Sequence, residues 1–264
     1  MTRIEKRFEK LKSEGRHGFI PYVTAGDPTC EITGELILEL EKSGADIIEL
    51  GVPFSDPIAD GPVIQRATER ALGQHVTLRK VLDLARKIRL QTEIPLVLFS
   101  YYNPILRYGL NKLAHDAAEC GIDGVLATDL TVEESGEYRR TMAAAKLNTI
   151  FLAAPTSSPE RLKKIAQASN GFLYAVSRTG VTGETQTLSA ELRGFLQELR
   201  RHTGIPVAVG FGISKPEHVK AVWEVADAAV VGSAIVREIE QNIGRADLVK
   251  RVSQFTQWLR GEAA

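Results

Sequence analysis

The sequence predicts a closed barrel of eight parallel βα units, preceded by one extra amphipathic helix. Three observations carry that expectation. Short apolar runs alternate with helical patterns along the whole chain, as repeated βα units require. The runs are almost continuously apolar rather than alternating, which suits parallel strands covered on both faces. The length of 264 residues suits one such (β/α)₈, or TIM, barrel, a fold that commonly takes about 250.

Taken in order, the first fifteen residues, MTRIEKRFEKLKSEG, place Ile4, Phe8 and Leu11 on one face among charges. That is an amphipathic helix, and no apolar stretch follows to make it a signal peptide. Strands are expected at 18–24, 46–52, 95–101, 124–128, 148–153, 171–176, 206–210 and 228–231. Helices fill the gaps. Asp27-Pro28 reads as an N-cap followed by proline at the first helical position, with Ile32, Leu36 and Leu40 as the buried face and Gly44 as the stop. Leu78, Val81, Leu82, Ala85 and Ile88 trace a second apolar stripe. Ser158-Pro159 repeats the cap arrangement, and Thr131 with Glu134 and Ser214 with Glu217 have capping-box spacing.

A weak internal echo favours the closed barrel over an open doubly wound sheet. TEIPLVLF (92–99) resembles TGIPVAVG (203–210), and IDGVLATD (122–129) resembles ADAAVVGS (226–233). Each pair lies four units apart, as a half-barrel duplication would place it. No linker or low-complexity segment divides the chain, so residues 1–264 are expected to form a single catalytic domain.

Lys plus Arg and Asp plus Glu both total 33, giving a formal net charge of zero. Such a chain offers no field for nucleic acid or an anionic membrane, so any anion must be held by a local site. No apolar run reaches membrane-spanning length. Cys30 and Cys120 show no metal-ligand or disulfide spacing, which fits a reducing cytoplasm and predicts no metal site.

Barrel enzymes build their sites at the C-terminal ends of the strands, so candidate residues belong there. Glu49 stands within the second run among Ile47, Ile48, Leu50 and Val52. A carboxylate there is costly unless paired or protonated. A salt-bridged rim glutamate and a functional one fit the residues equally well. The following loop, VPFSDPIADGPVIQRA, is stiffened by Pro53, Pro57 and Pro62 and carries Asp56 and Asp60. Long loops at a catalytic rim tend to be functional, although aspartates often serve merely as turn or cap formers. Glycine-rich stretches then follow the last three strands: SRTGVTG, GFGIS and VGSAI. Glycine admits an anion close to backbone N–H groups, and barrel phosphate sites commonly use the loops after strands seven and eight.

The block ELGVPFSDPIADGPVIQRATERAL resembles the signature of the tryptophan synthase α-subunit family. IPYVTAGDP, YYNPI, SRTGVTG, GFGIS and VVGSAIV resemble that family's framing motifs in the same order, over essentially the whole chain. The resemblance implies retro-aldol cleavage of indole-3-glycerol phosphate to indole and glyceraldehyde 3-phosphate. It implies Glu49 as the acid/base and Asp60 as the acceptor of the indole N–H. It implies Tyr22, Ile64, Ser100, Tyr102, Leu126, Thr128, Tyr174 and Thr182 around the substrate, and Gly183, Phe211, Gly212, Gly232 and Ser233 at the phosphate. Pro53 and Asp56 would face a pyridoxal phosphate-dependent β-subunit in an αββα assembly, with no cofactor on this chain. The sequence departs from the family at Ser100, where an aliphatic residue is usual, at ATDLTVEES, which lacks flanking prolines, and at VADAAVV, which lacks a glycine. The stretch 178–188 is expected to close over substrate, with Gly180 and Gly183 as hinges. Competing readings are a stand-alone indole-glycerol-phosphate lyase, a phosphosugar isomerase barrel, and a silent barrel that only activates a synthase partner.

Overall fold

A computed structural model describes residues 1–176, 190–210 and 212–262. Nine strands are present among them: β1 (Gly18–Thr24), β2 (Ile48–Gly51), β3 (Leu96–Ser100), β4 (Gly124–Ala127), β5 (Asn148–Ile150), β6 (Leu152–Ala153), β7 (Leu173–Val176), β8 (Val207–Gly210) and β9 (Ala228–Val231). They form one sheet in the order β5-β4-β3-β2-β1-β9-β8-β7-β6, parallel at each paired junction. The two ends of that order, β5 and β6, are halves of one run separated only by Phe151. The ring therefore closes through a single residue. Nine strands where eight are expected is this break at Phe151, whose side chain packs outward among the core residues behind the strands.

The helices are α1 (Arg3–Ser13), α2 (Cys30–Lys42), α3 (Pro62–Gly73), α4 (Leu78–Arg89), α5 (Tyr102–Tyr108), α6 (Leu110–Glu119), α7 (Gly136–Ala144), α8 (Pro159–Ala168), α9 (Ala190–Arg200), α10 (Pro216–Trp223), α11 (Ser233–Asn242) and α12 (Leu248–Leu259). Alternate strand residues sort into two cores, because successive side chains leave opposite faces of a strand. Ile48, Leu50, Leu96 and Leu98 point outward to the helices. Ile20, Ile47, Val97, Leu126, Ile150 and Phe172 point inward. Ile4, Phe8 and Leu11 of α1 join the inner set and plug the floor, the N-terminal end of the barrel. Burying three large side chains there is worth roughly 1.5–3 kcal/mol each.

Four residues repeat one device around that floor. Asp46, Asp123, Asn170 and Asp227 each stand at or just before the start of an even-numbered run of the eight. Their side-chain oxygens accept from the backbone N–H of Phe19, Leu96, Thr149 and Val207, at 2.9, 2.9, 2.7 and 2.7 Å. Their own N–H groups donate back to the carbonyls of those same residues at 2.9, 2.9, 3.0 and 2.9 Å. Each odd-numbered run is thereby clasped at its start, satisfying groups whose loss costs about 1–3 kcal/mol when buried. This is the physical content of the internal echo: Asp123 and Asp227 occupy matching positions in it. Thr92 and Thr203 match as well, their hydroxyls accepting from Ile94 N and Ile205 N at 2.9 and 3.3 Å.

Three capping expectations are corrected. The Asp27-Pro28 pair does not start α2; Thr29 caps it, accepting from Ile32 N at 3.2 Å, because the Asp27 carboxylate is drawn to Arg70. Thr131 and Glu134 bond to each other in a turn ahead of α7. Lys215 is the cap position of α10, and Ser214 makes no capping bond. Ser158 caps α8 as expected.

Candidate active site

At the opposite, C-terminal mouth, the period-two rule places Tyr22 of β1 and Glu49 of β2 side by side, both facing inward with their Cα positions in register. Glu49 is 1% exposed and its Oε1 has no hydrogen-bond partner among the described residues. Burial pushes its carboxyl up to about 8, with no positive charge among the described residues pulling the other way. Near neutral pH the group is therefore held protonated, ready to give a proton. Tyr22 packs edge-on against Phe99 at 5.2 Å, and burial likewise raises its hydroxyl.

Two glycines exist because these rings lie flat against the strands. A β-carbon at Gly51 would meet the Tyr22 hydroxyl at 2.1 Å, and one at Gly210 would meet the Tyr174 hydroxyl at 2.3 Å. Tyr174 is inward-facing and close enough to Glu49 for their charges to interact.

Asp60 reaches the mouth from the loop after β2, just ahead of α3, whose start is set by Gly61 and Pro62. Its N–H donates to Pro57 O at 3.0 Å, and Gln65 donates to its carbonyl at 2.9 Å. Burial raises its carboxyl and a hydrogen bond from Tyr101 lowers it. The same Tyr101 hydroxyl accepts from Ala59 N at 2.9 Å, and Phe54 lies against its ring at 5.3 Å. Ile64 of α3 packs with Tyr22, Phe99 and Val236. Gly232 sits beside them, since a β-carbon there would lie 3.8 Å from Tyr22 and 3.9 Å from Ile64. Ser233 opens α11 with no side-chain cap, leaving first-turn N–H groups available to an anion. Gly212 follows β8 on an exposed turn with φ of 28°.

The remaining predicted positions scatter. Leu126 points inward in β4, in register with Phe99 of β3 and Ile150 of β5. Thr128 gives its N–H and hydroxyl to Ser100 O at 2.9 and 3.4 Å. Ser100 shares the outward parity of Leu96 and Leu98, and its hydroxyl donates to Tyr101 O at 3.0 Å. Tyr102 packs edge-on to Tyr138 of α7 at 6.2 Å, against the core behind the strands. Pro53 is buried, and Asp56 is exposed with Ser55 donating to it at 2.5 Å. Thr182, Gly183, Phe211 and the stretch 178–188 lie outside the described residues. Among the described residues no group of three or more His, Cys, Asp or Glu side chains is placed to hold a metal ion. None of their helices is long and apolar enough to cross a membrane.

A family model of the tryptophan synthase alpha chain matches residues 8–262. This chain belongs to that family. A tryptophan synthase alpha chain from Solibacter usitatus is 55% identical over 98% of this chain and 97% of its own length. The crystal structure of the tryptophan synthase α-subunit from Legionella pneumophila is 40% identical, covers 98% of both chains and superposes with a TM-score of 0.91. A structure of the tryptophan synthase a2b2 complex from Pyrococcus furiosus is 39% identical over 92% of this chain and 98% of that one, with a TM-score of 0.87.

Within this α-chain barrel the structure brings Phe99 and Tyr101, rather than Ser100 and Tyr102, to Tyr22 and Asp60. The signal was present: counting by two from inward-facing Val97 gives Phe99 and then Tyr101. The bond from Tyr101 to Asp60 had no such signal, because it joins two loops of different units.

Proposed function

We propose that this tryptophan synthase α chain cleaves indole-3-glycerol phosphate to indole and glyceraldehyde 3-phosphate. The observation that carries the reading is Glu49, buried, protonated near neutrality and with an unpartnered oxygen beside Tyr22 and Tyr174. Glu49 delivers its proton to C3 of the indole, making an indolenine. The carboxylate so formed takes the proton of the side-chain hydroxyl on the carbon attached to C3. As that hydroxyl becomes the aldehyde, the carbon–carbon bond breaks and its electrons return to the ring, which leaves as indole. One carboxyl thus serves both steps and ends as it began. Asp60 accepts from the indole N–H and stabilises positive charge on the ring, an interaction stronger in the transition state than in the ground state. Its hydrogen bond from Tyr101 opposes the upward push of burial on its carboxyl. Tyr22, Phe99, Ile64 and Tyr174 supply apolar walls. The first turn of α11 at Gly232 and Ser233, with Gly212 and Gly183, supplies backbone donors for the phosphate.

We take residues 1–264 as one catalytic domain that acts in the cytoplasm. The partner is a β-subunit carrying pyridoxal phosphate in an αββα assembly, as in the a2b2 complex of Pyrococcus furiosus. The loop of Pro53, Asp56 and Ile58 faces it, and Ile58 is 85% exposed at the mouth. Indole is neutral and apolar, so direct transfer to the partner prevents its escape. The test is indole release from indole-3-glycerol phosphate by the purified chain, alone and with a cognate β-subunit. Release that rises severalfold with the β-subunit is expected. No release under either condition overturns the reading, and full activity alone with no response to a β-subunit favours a stand-alone lyase.

A further inference from the structure

The catalytic reading leaves unused a chain of ion pairs that lies between the two ends of the site. Asp27, in the loop after β1, is 1% exposed and accepts from Arg70 Nε and Nη2 at 2.7 and 2.9 Å. Arg70 Nη1 reaches Glu240 Oε1 at 2.6 Å. Arg66, one turn earlier on α3, holds the same Glu240 carboxylate through Nε and Nη2 at 2.8 and 2.7 Å. Arg70 therefore ties three elements: the β1 loop through Asp27, its own helix α3, and α11 through Glu240.

Those two helices carry the two ends of the site. Asp60 stands two residues before Pro62, the first residue of α3, and Gly232 and Ser233 begin α11. Between the helices lie Val63, Ala67 and Val236, packed under Tyr22. Apolar contact is non-directional, so it resists separation of the helices more than sliding along one another. A guanidinium fork bonded to two carboxylates is directional and resists sliding. Its geometry is further held because Asp27 is buried and Arg70 only about a quarter exposed.

We infer that Arg70 is a positioning residue: by clamping α3 to α11 through Asp27 and Glu240, it fixes the span between Asp60 and the turn at Gly232 and Ser233. The inference rests on the site proposed above. Its consequence is specific, because a fixed span matters only to a ligand that reaches both ends. Indole or glycerol 3-phosphate alone occupies one end and is indifferent to the distance.

The test compares three probes by calorimetry: indole, glycerol 3-phosphate, and indole-3-propanol phosphate, which spans both ends but lacks the hydroxyls needed for cleavage. In Arg70→Lys the charge stays and the fork is lost. Binding of the spanning ligand should weaken by about tenfold or more, since small displacements are costly for a positioned ligand. The two fragments should keep their affinities within about twofold. Glu240→Gln, altered at the α11 end of the network, away from buried Asp27, should show the same pattern more weakly and keeps the test open should Arg70→Lys fail to fold. Unchanged binding of the spanning ligand by both variants, or equal losses for fragments and spanning ligand, overturns the inference. A wild-type chain that binds none of the three probes removes the site reading itself, and this inference with it.

Discussion

The floor and the mouth of this barrel use acidic residues in opposite ways. At the floor, Asp46, Asp123 and Asp227 are clasped to backbone N–H groups, and arginines stand against them: Arg7 at 3.6 Å, Arg89 at 3.0 Å and Arg200 at 2.8 Å. At the mouth, Glu49 is as buried as Asp46 and Asp123 and has neither a backbone donor nor a counter-charge among the described residues. Both carboxyls, Asp123 and Glu49, are pushed upward by burial, but Asp123 is pulled back by Leu96 N–H and by Arg89 and Arg3, whereas Glu49 is not. The difference teaches how to tell a supporting acid from a working one. Burial alone is common to both; an absent partner is what sets Glu49 apart.

The comparison breaks most sharply at Glu49. Glu49→Gln keeps size and removes the transferable proton, so kcat should fall by about 10²–10⁴. Stability should behave oppositely. The folded carboxyl titrates near 8 against an ordinary value of 4.5, so its contribution is fully present below 4.5 and is lost as pH rises through 8. The variant lacks that loss, and its Tm should fall less than that of wild type between pH 4.5 and 8. Retained turnover, or identical Tm profiles, contradicts the role.

At the floor the effects should reverse. Asp123→Ala strands the Leu96 N–H and the largely buried Arg89, and should cost about 3 kcal/mol in denaturant unfolding. Asp227 is about two-fifths exposed, and Asp227→Ala should cost nearer 1 kcal/mol. In both, kcat of the folded fraction should stay within about threefold of wild type. A large loss of kcat without a loss of stability would erase the division between floor and mouth.

Much of this was legible in the sequence. All eight apolar runs became strands, since apolar continuity reports burial on both faces directly. Glu49 was legible as an anomaly, a charge where only apolar side chains belong. The break at Phe151 was not, because it leaves the apolar pattern of 148–153 intact. The cap at Asp27 misled for a tertiary reason: Arg70 lies 43 positions away and outcompetes the local role. The family motif implies Ser100 and Tyr102 because a linear motif carries no facing, whereas the strand's period of two puts Phe99 and Tyr101 on the side of inward-facing Val97. The floor clasps were half-visible, as the repeated aspartates in IDGV and ADAA.

The most direct test of the contrast is the titration of Glu49 itself. With ¹³C placed in the glutamate side-chain carboxyls, and Glu49→Gln identifying the resonance, its chemical shift can be followed by NMR from pH 4 to 10. A midpoint near 8 is predicted, as for an unpaired acid held protonated by burial. A midpoint near 4.5 would mean that Glu49 is solvated or paired like the acids of the floor, and would contradict the account.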